Sequence, residues 1–69
     1  MLKEYLMSTN ILKELREGQH LSQEGLARRA GVQRATISMI ERGVNKPSVQ
    51  LAKRLSNVLK CEWTIFFDQ

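Results

Sequence analysis

Apolar residues recur along the chain in short runs with helical spacing, and glycine, proline or serine interrupts each run. Leu12 and Leu15, with Leu6 or Ser8 one turn earlier, form an i, i+3, i+4 stripe that stops at Gly18. Lys13 and Arg16 stand in its last turns, where the helix dipole favours cations. Ser22 then offers an N-cap, because its side-chain oxygen can accept a free N–H of the first turn. Leu26, Ala27 and Ala30 make the stripe of this second helix, and Gly31 stops it. Gly25 inside it costs about 1 kcal/mol relative to Ala. A third helix runs from near Gln33 to Gly43, with "GVNKPS" as the loop that follows. Ser48 caps a fourth, whose stripe is Leu51, Leu55, Val58 and Leu59. After a break at Lys60-Cys61-Glu62, "WTIFF" forms a final turn or short helix. No strand-length window alternates β-branched with polar residues, so no sheet is indicated. The pattern predicts an all-α, compact bundle of about five short helices.

At 69 residues the chain is read as one small domain, residues 1–69. A domain of this size buries only about 60% of its unfolded surface, so its stability is modest. Cys61 is the single cysteine and His20 the single histidine, which excludes an internal disulfide and makes a metal site unexpected. Association with a second subunit remains open. No apolar run approaches the roughly 20 residues of a membrane span. The segment "MLKEYLMSTN" carries Glu4 and lacks an apolar signal core, so a cytoplasmic location without a membrane partner is expected. The net charge is +4, and the excess is uneven. Between Ile11 and Lys60 ten Lys and Arg face four Glu, so the middle of the chain is the basic part. A basic domain of this size suggests an anionic partner, most often nucleic acid.

Helices two and three, joined by a turn of about four residues containing Gly31, have the arrangement of a helix-turn-helix spanning about residues 22–42. Ala27 is small enough to let the two helices approach, and Val32, Ile37 and Ile40 fill the space beneath. At about 100° per residue, Arg34, Ala35, Ser38, Met39 and Arg42 share one side of the third helix. Ile37, Ile40 and Glu41 share the other. The outer side therefore carries cations, a bare Ala and a Met that the core does not need.

The combination "KELRE", "SQEGLARRAGVQRATISMIERG" and "PSVQLAKRL" resembles the Cro and phage-repressor (XRE-type) family of bacterial regulators, from about Leu12 to Phe67. Gln23, Ala27, Gly31, Ile37, Glu41, Gly43 and Pro47 fall where that family has the same or similar residue types. The resemblance implies a lambda-repressor-like DNA-binding domain, with C-terminal helices over residues 48–67. It also implies that the outer N-terminal part of helix three reads double-stranded DNA in the major groove. Arg34 then suits O6 and N7 of a guanine, Ala35 and Met39 suit a thymine methyl, and Ser38 can donate or accept. Many relatives carry Gln or Asn at these positions, which read adenine, so this chain departs toward guanine and thymine. Phosphate contacts are expected from Gln23, Thr36, Arg42, Asn45 and Lys46, the first at a helix N-terminus that favours an anion. For Arg28 and Arg29 a solvated face is the simpler account. Arg16 and Glu41 match positions that form an ion pair between helix one and the recognition helix, a structural role.

No catalytic constellation is present, so an enzyme is not expected. His20 has no nucleophile at a recognisable spacing, and Glu14 and Glu17 read as a charged helix face. Cys61 matches a position that usually holds a buried aliphatic residue, so a packed thiol is expected. Trp63 and Phe66 match positions that close the core. Ile65 and Phe67 add apolar bulk beyond what one small domain covers, and such a patch often marks an interface. Trp63, Ile65 and Phe67 are therefore the expected contacts of a homodimer, with recognition helices about 34 Å apart. The expected function is sequence-specific transcriptional regulation, as a repressor, through an inverted-repeat operator. An antitoxin or adaptor that mainly holds another protein is the alternative. No cofactor or small-molecule ligand is indicated.

Overall fold

The computed structural model describes residues 10–67. In order these form α1 (Ile11–Gly18), α2 (Gln23–Ala30), α3 (Arg34–Glu41), α4 (Val49–Leu59) and a 3-10 turn (Trp63–Phe67). The extension of the first helix toward Leu6 or Ser8 lies outside the described residues. The fifth predicted helix is a single tight 3-10 turn. No helix among the described residues is long and apolar enough to cross a membrane.

Side chains start three of the four helices. Asn10 accepts from the Leu12 N–H, Ser22 from the Gly25 N–H and Ser48 from the Leu51 N–H, each satisfying a donor that the helix cannot. Only α3 begins without a side-chain cap, at Gln33. Gly25 also has a use beyond its cost: a Cβ there would lie 3.1 Å from the capping Ser22 hydroxyl.

All four helices stop in the same way. A residue with left-handed backbone follows each one, and the next N–H bonds back to a carbonyl five residues earlier, as in a Schellman motif. The bonds are Leu21 to Arg16, Val32 to Ala27, Val44 to Met39 and Cys61 to Ser56, at 2.9–3.1 Å. The left-handed residues are His20, Gly31, Gly43 and Lys60, with φ of 60°, 76°, 80° and 59°. Gly18, expected to stop α1, is its last residue but not its turning point. That conformation falls two residues later, on His20, where a Cβ makes it costlier.

The core is formed by Leu12, Leu26, Ala27, Ala30, Ile37, Ile40, Ala52, Leu55, Leu59 and Phe66. Burial of each large side chain contributes about 1.5–3 kcal/mol. The stripe of α4 is rotated from expectation. Ala52, Leu55, Ser56 and Leu59 are buried, whereas Leu51 and Val58 flank the core half-buried. Ala52 and Ser56 stand one turn apart on the buried side, and the Ser56 hydroxyl is satisfied by donating to the Lys53 carbonyl at 2.8 Å. Phe66 closes the core as expected. Trp63 does not, because it lies half-buried at the edge, with Phe67 edge-on at 6.0 Å and the Lys53 ammonium 5.2 Å from its ring centre.

The stop positions make a prediction. His20→Gly should stabilise the fold by about 0.5–1 kcal/mol, a rise of a few degrees in Tm. Gly31→Ala should destabilise it, and thermal unfolding followed by circular dichroism measures both.

Candidate nucleic-acid interface

The turn between α2 and α3 consists of Gly31, Val32 and Gln33, one residue shorter than expected. Gly31 reverses the chain at positive φ, and Val32 packs half-buried against the core. Ala27 is 2% exposed at the crossing of the two helices, where a larger side chain would force them apart. Leu26, Ala30, Ile37 and Ile40 hold the pair on the remaining helices.

With its inner side locked by Ile37 and Ile40, α3 presents the face that its wheel predicts. Arg34, Ala35 and Arg42 are exposed, and Thr36, Ser38 and Met39 are half-buried. Met39 belongs neither to the core nor to the apolar side chains packed on it. Its sulfur instead meets the Asn45 amide, which donates at 3.7 Å. Lys46 is exposed in the same loop, so Arg42, Asn45 and Lys46 extend the outer face beyond the end of α3.

A chain of polar contacts ties α3 to its neighbours. Arg16 is buried at 9% exposure, although it stands in the last turn of a surface helix. Its Nε donates to Glu41 Oε2 at 2.6 Å, its Nη2 to Glu41 Oε1 at 3.2 Å, and its Nη1 to the Leu21 carbonyl at 2.7 Å. The Glu41 side chain is only 5% exposed. The hydrogen bonds that Arg16 donates to Glu41 are the main reason its pKa is raised; burial opposes them, and the charges of Glu41 and Glu17 add to them. The expected ion pair therefore exists, is buried, and is bidentate.

Two further residues join this chain. Gln23, expected at a phosphate, uses its amide within the protein: Nε2 donates to Glu41 Oε1 at 3.0 Å, and Oε1 accepts from Arg34 Nη1 at 3.1 Å. Asn10 was not anticipated at all. While its Oδ1 caps α1, its Nδ2 donates 2.7 Å to the Ile40 carbonyl at the end of α3. A polar residue just ahead of an apolar run signals a cap in sequence, but its second partner thirty residues away leaves no local trace.

The other candidates fall outside this face. Arg28 pairs with Glu24 at 3.6 Å, with both side chains exposed, a pair worth about 0–1 kcal/mol. Arg29, His20, Glu14 and Glu17 are exposed, the last 4.0 Å from Arg16 Nη2. Cys61 is half-buried, and burial, followed by the charge of Glu62, pushes its thiol pKa up. Trp63 and Ile65 are half-buried and Phe67 is 38% exposed, so part of this apolar end stays open.

Comparison with known proteins finds the same arrangement elsewhere. The family model described as Helix-turn-helix, HTH_3, matches residues 12–66. An uncharacterized HTH-type transcriptional regulator of Bacillus subtilis, YqaF, is 42% identical over 57 residues, covering 83% of this chain and 75% of that protein. Another from Archaeoglobus fulgidus is 40% identical over 60 residues, covering 84% of each chain. A crystal structure of an HTH_3-family transcriptional regulator from Vibrio cholerae superposes with a TM-score of 0.71 at 32% identity. The match covers 81% of this chain but only 32% of that longer protein.

The buried pair sets an expectation for stability. Glu41→Ala leaves the Arg16 guanidinium buried without its carboxylate, which should cost about 3 kcal/mol or more. In a domain of this size that is a loss on the order of 15 °C in Tm. An unchanged melting temperature would show that the pair holds nothing.

Proposed function

The chain belongs to the HTH_3, XRE-type helix-turn-helix family of DNA-binding transcriptional regulators, which are not enzymes, and on that premise we propose that it is a repressor reading an inverted-repeat operator as a homodimer. The observation that carries the reading is the division of α3. Its inner side is locked into the core and its buried Glu41 into an ion pair, while Arg34, Ala35 and Arg42 are exposed on the other side.

In this reading α3 enters the major groove. Arg34 grips O6 and N7 of a guanine, a bidentate contact worth about 1–3 kcal/mol of discrimination. Ala35 and Met39 meet thymine methyl groups, and Ser38 donates or accepts according to the base. Thr36, Arg42, Asn45 and Lys46, with the main-chain N–H of Gln23, hold the phosphates on either side. Phosphate contacts fix register without reading sequence, so the basic middle of the chain supplies affinity and Arg34 the choice of site.

The dimer follows from symmetry and from the open apolar end. A single α3 reads only a few base pairs, so two copies on an inverted repeat raise both affinity and specificity. Ile65, Phe67 and the exposed edge of Trp63 form the surface on which two copies would join. A dimer spanning one DNA turn covers its site, and occlusion of other proteins from that site is the simplest route to repression.

Selection from random DNA tests the reading, and it should return a short inverted repeat. Arg34→Ala should abolish preference at one guanine per half-site, and Met39→Gln should alter a neighbouring position while still folding. Lys46→Ala should weaken all sequences alike and reduce the salt slope by about 1. No preference over random DNA would instead favour a role in holding a partner protein. Separately, sedimentation at tens of micromolar should give a dimer that Phe67→Glu converts to monomer; a wild-type monomer would remove the dimer interface.

A further inference from the structure

Met39 places a thioether where an apolar contact is all that a thymine methyl asks for. What the sulfur adds is a polarisable atom open to oxidation. It stands half-buried on the outer face of α3, outside the core and the side chains packed on it. Its polar partner is the Asn45 amide, whose Nδ2 donates to it at 3.7 Å. That amide is held in place by the backbone. The N–H groups of Val44 and Asn45 both reach the Met39 carbonyl, at 3.0 and 3.4 Å, and the buried Pro47 fixes the far end of the loop. A thioether accepts such a bond only weakly, so a well-placed donor is left with a poor acceptor.

We propose that Met39 is an oxidation site, at which a peroxide converts the thioether to a sulfoxide that the Asn45 amide captures, lowering the preference for thymine. This rests on the reading of Met39 as a thymine contact and gives that contact a control. The sulfur lone pair attacks one peroxide oxygen, and the S–O bond forms as the O–O bond breaks. The proton passes from the transferred oxygen to the departing one, which leaves as water or an alcohol. Sulfur is thereby oxidised by two electrons and the peroxide reduced by two. The product carries a strong acceptor oxygen on the atom that Asn45 Nδ2 already faces, so a weak contact becomes a full hydrogen bond. Against a thymine methyl the same oxygen meets no donor, and burying it there unpaired is unfavourable. Both effects draw the side chain from the base edge toward the loop. Ile37 and Ile40 hold the other side of α3, so the helix itself keeps its place. The free protein is the form that reacts, because DNA against Met39 covers the sulfur.

Treating the free Met7→Leu protein with hydrogen peroxide tests this, beside a Met7→Leu, Met39→Leu double variant that keeps Met1 and Cys61. Peptide mass spectrometry should place one added oxygen on Met39. Preference for thymine at the position Met39 reads should then fall about fivefold or more, with affinity for random DNA within about twofold. Methionine sulfoxide reductases acting on the two epimers should restore it, and the double variant should show no effect of peroxide. A second measurement needs no DNA: the Asn45 side-chain amide protons should shift downfield on oxidation and exchange more slowly with solvent. No oxygen on Met39 under conditions that oxidise free methionine, an unchanged Asn45 amide, or the same loss in the double variant would each overturn the proposal. So would loss of random-DNA binding together with the folded circular dichroism signal, which is damage and not control. If Met39→Gln leaves base preference intact, the functional reading fails, and the Asn45 signals still decide whether the sulfoxide is captured.

Discussion

The buried pairing of Arg16 with Glu41 is the constraint around which this small domain is arranged. Two charges removed from water are costly unless their remaining hydrogen-bonding sites are filled, and here they are filled. Arg16 also serves the Leu21 carbonyl, in the link between α1 and α2, and Glu41 also receives the Gln23 amide at the start of α2. One ion pair thus joins three helices, and it does so at the end of α3. The outer half of α3 contributes nothing to the core, so polar ties supply the rigidity that a wider buried face would otherwise provide. Asn10 on the Ile40 carbonyl adds a second tie one residue away.

Local backbone geometry completes this arrangement. Four helices of eight to eleven residues must reverse direction within a few residues, and every reversal uses the same left-handed stop. Each stop satisfies an end carbonyl with a main-chain N–H. The stop after α2 has the strictest geometric demand, because it sets the angle between the two helices of the DNA-binding unit. It is occupied by Gly31. The stops after α1 and α4 tolerate His20 and Lys60, at some cost in strain.

The same economy shapes the surface of the domain. Among the described residues the core is made from ten side chains, three of them alanine. What the fold does offer is a rigid outer surface of fixed shape and positive charge. Double-stranded DNA is a partner of regular shape and dense negative charge, so a rigid basic face can engage it without rearrangement.

Sequence alone determined those features that depend on near neighbours. Helical spacing of Leu26, Ala27, Ala30, Ile37 and Ile40 located the two central helices, Ser22 and Ser48 announced their caps, and the wheel of α3 separated inner from outer residues. The Arg16–Glu41 pair was legible only through resemblance, since the two lie twenty-five residues apart. Tertiary structure decided what depends on distance in space. It rotated the buried face of α4 onto Ala52 and Ser56 and left Leu51 and Val58 half-buried at its flanks. It placed Trp63 at the edge while Phe66 took the core, and it put a left-handed turn on His20 although Gly18 stood nearby. Above all, it turned the Gln23 amide inward between Glu41 and Arg34. Periodicity records which way a side chain leaves its own helix, but a hydrogen bond between helices depends on how those helices meet.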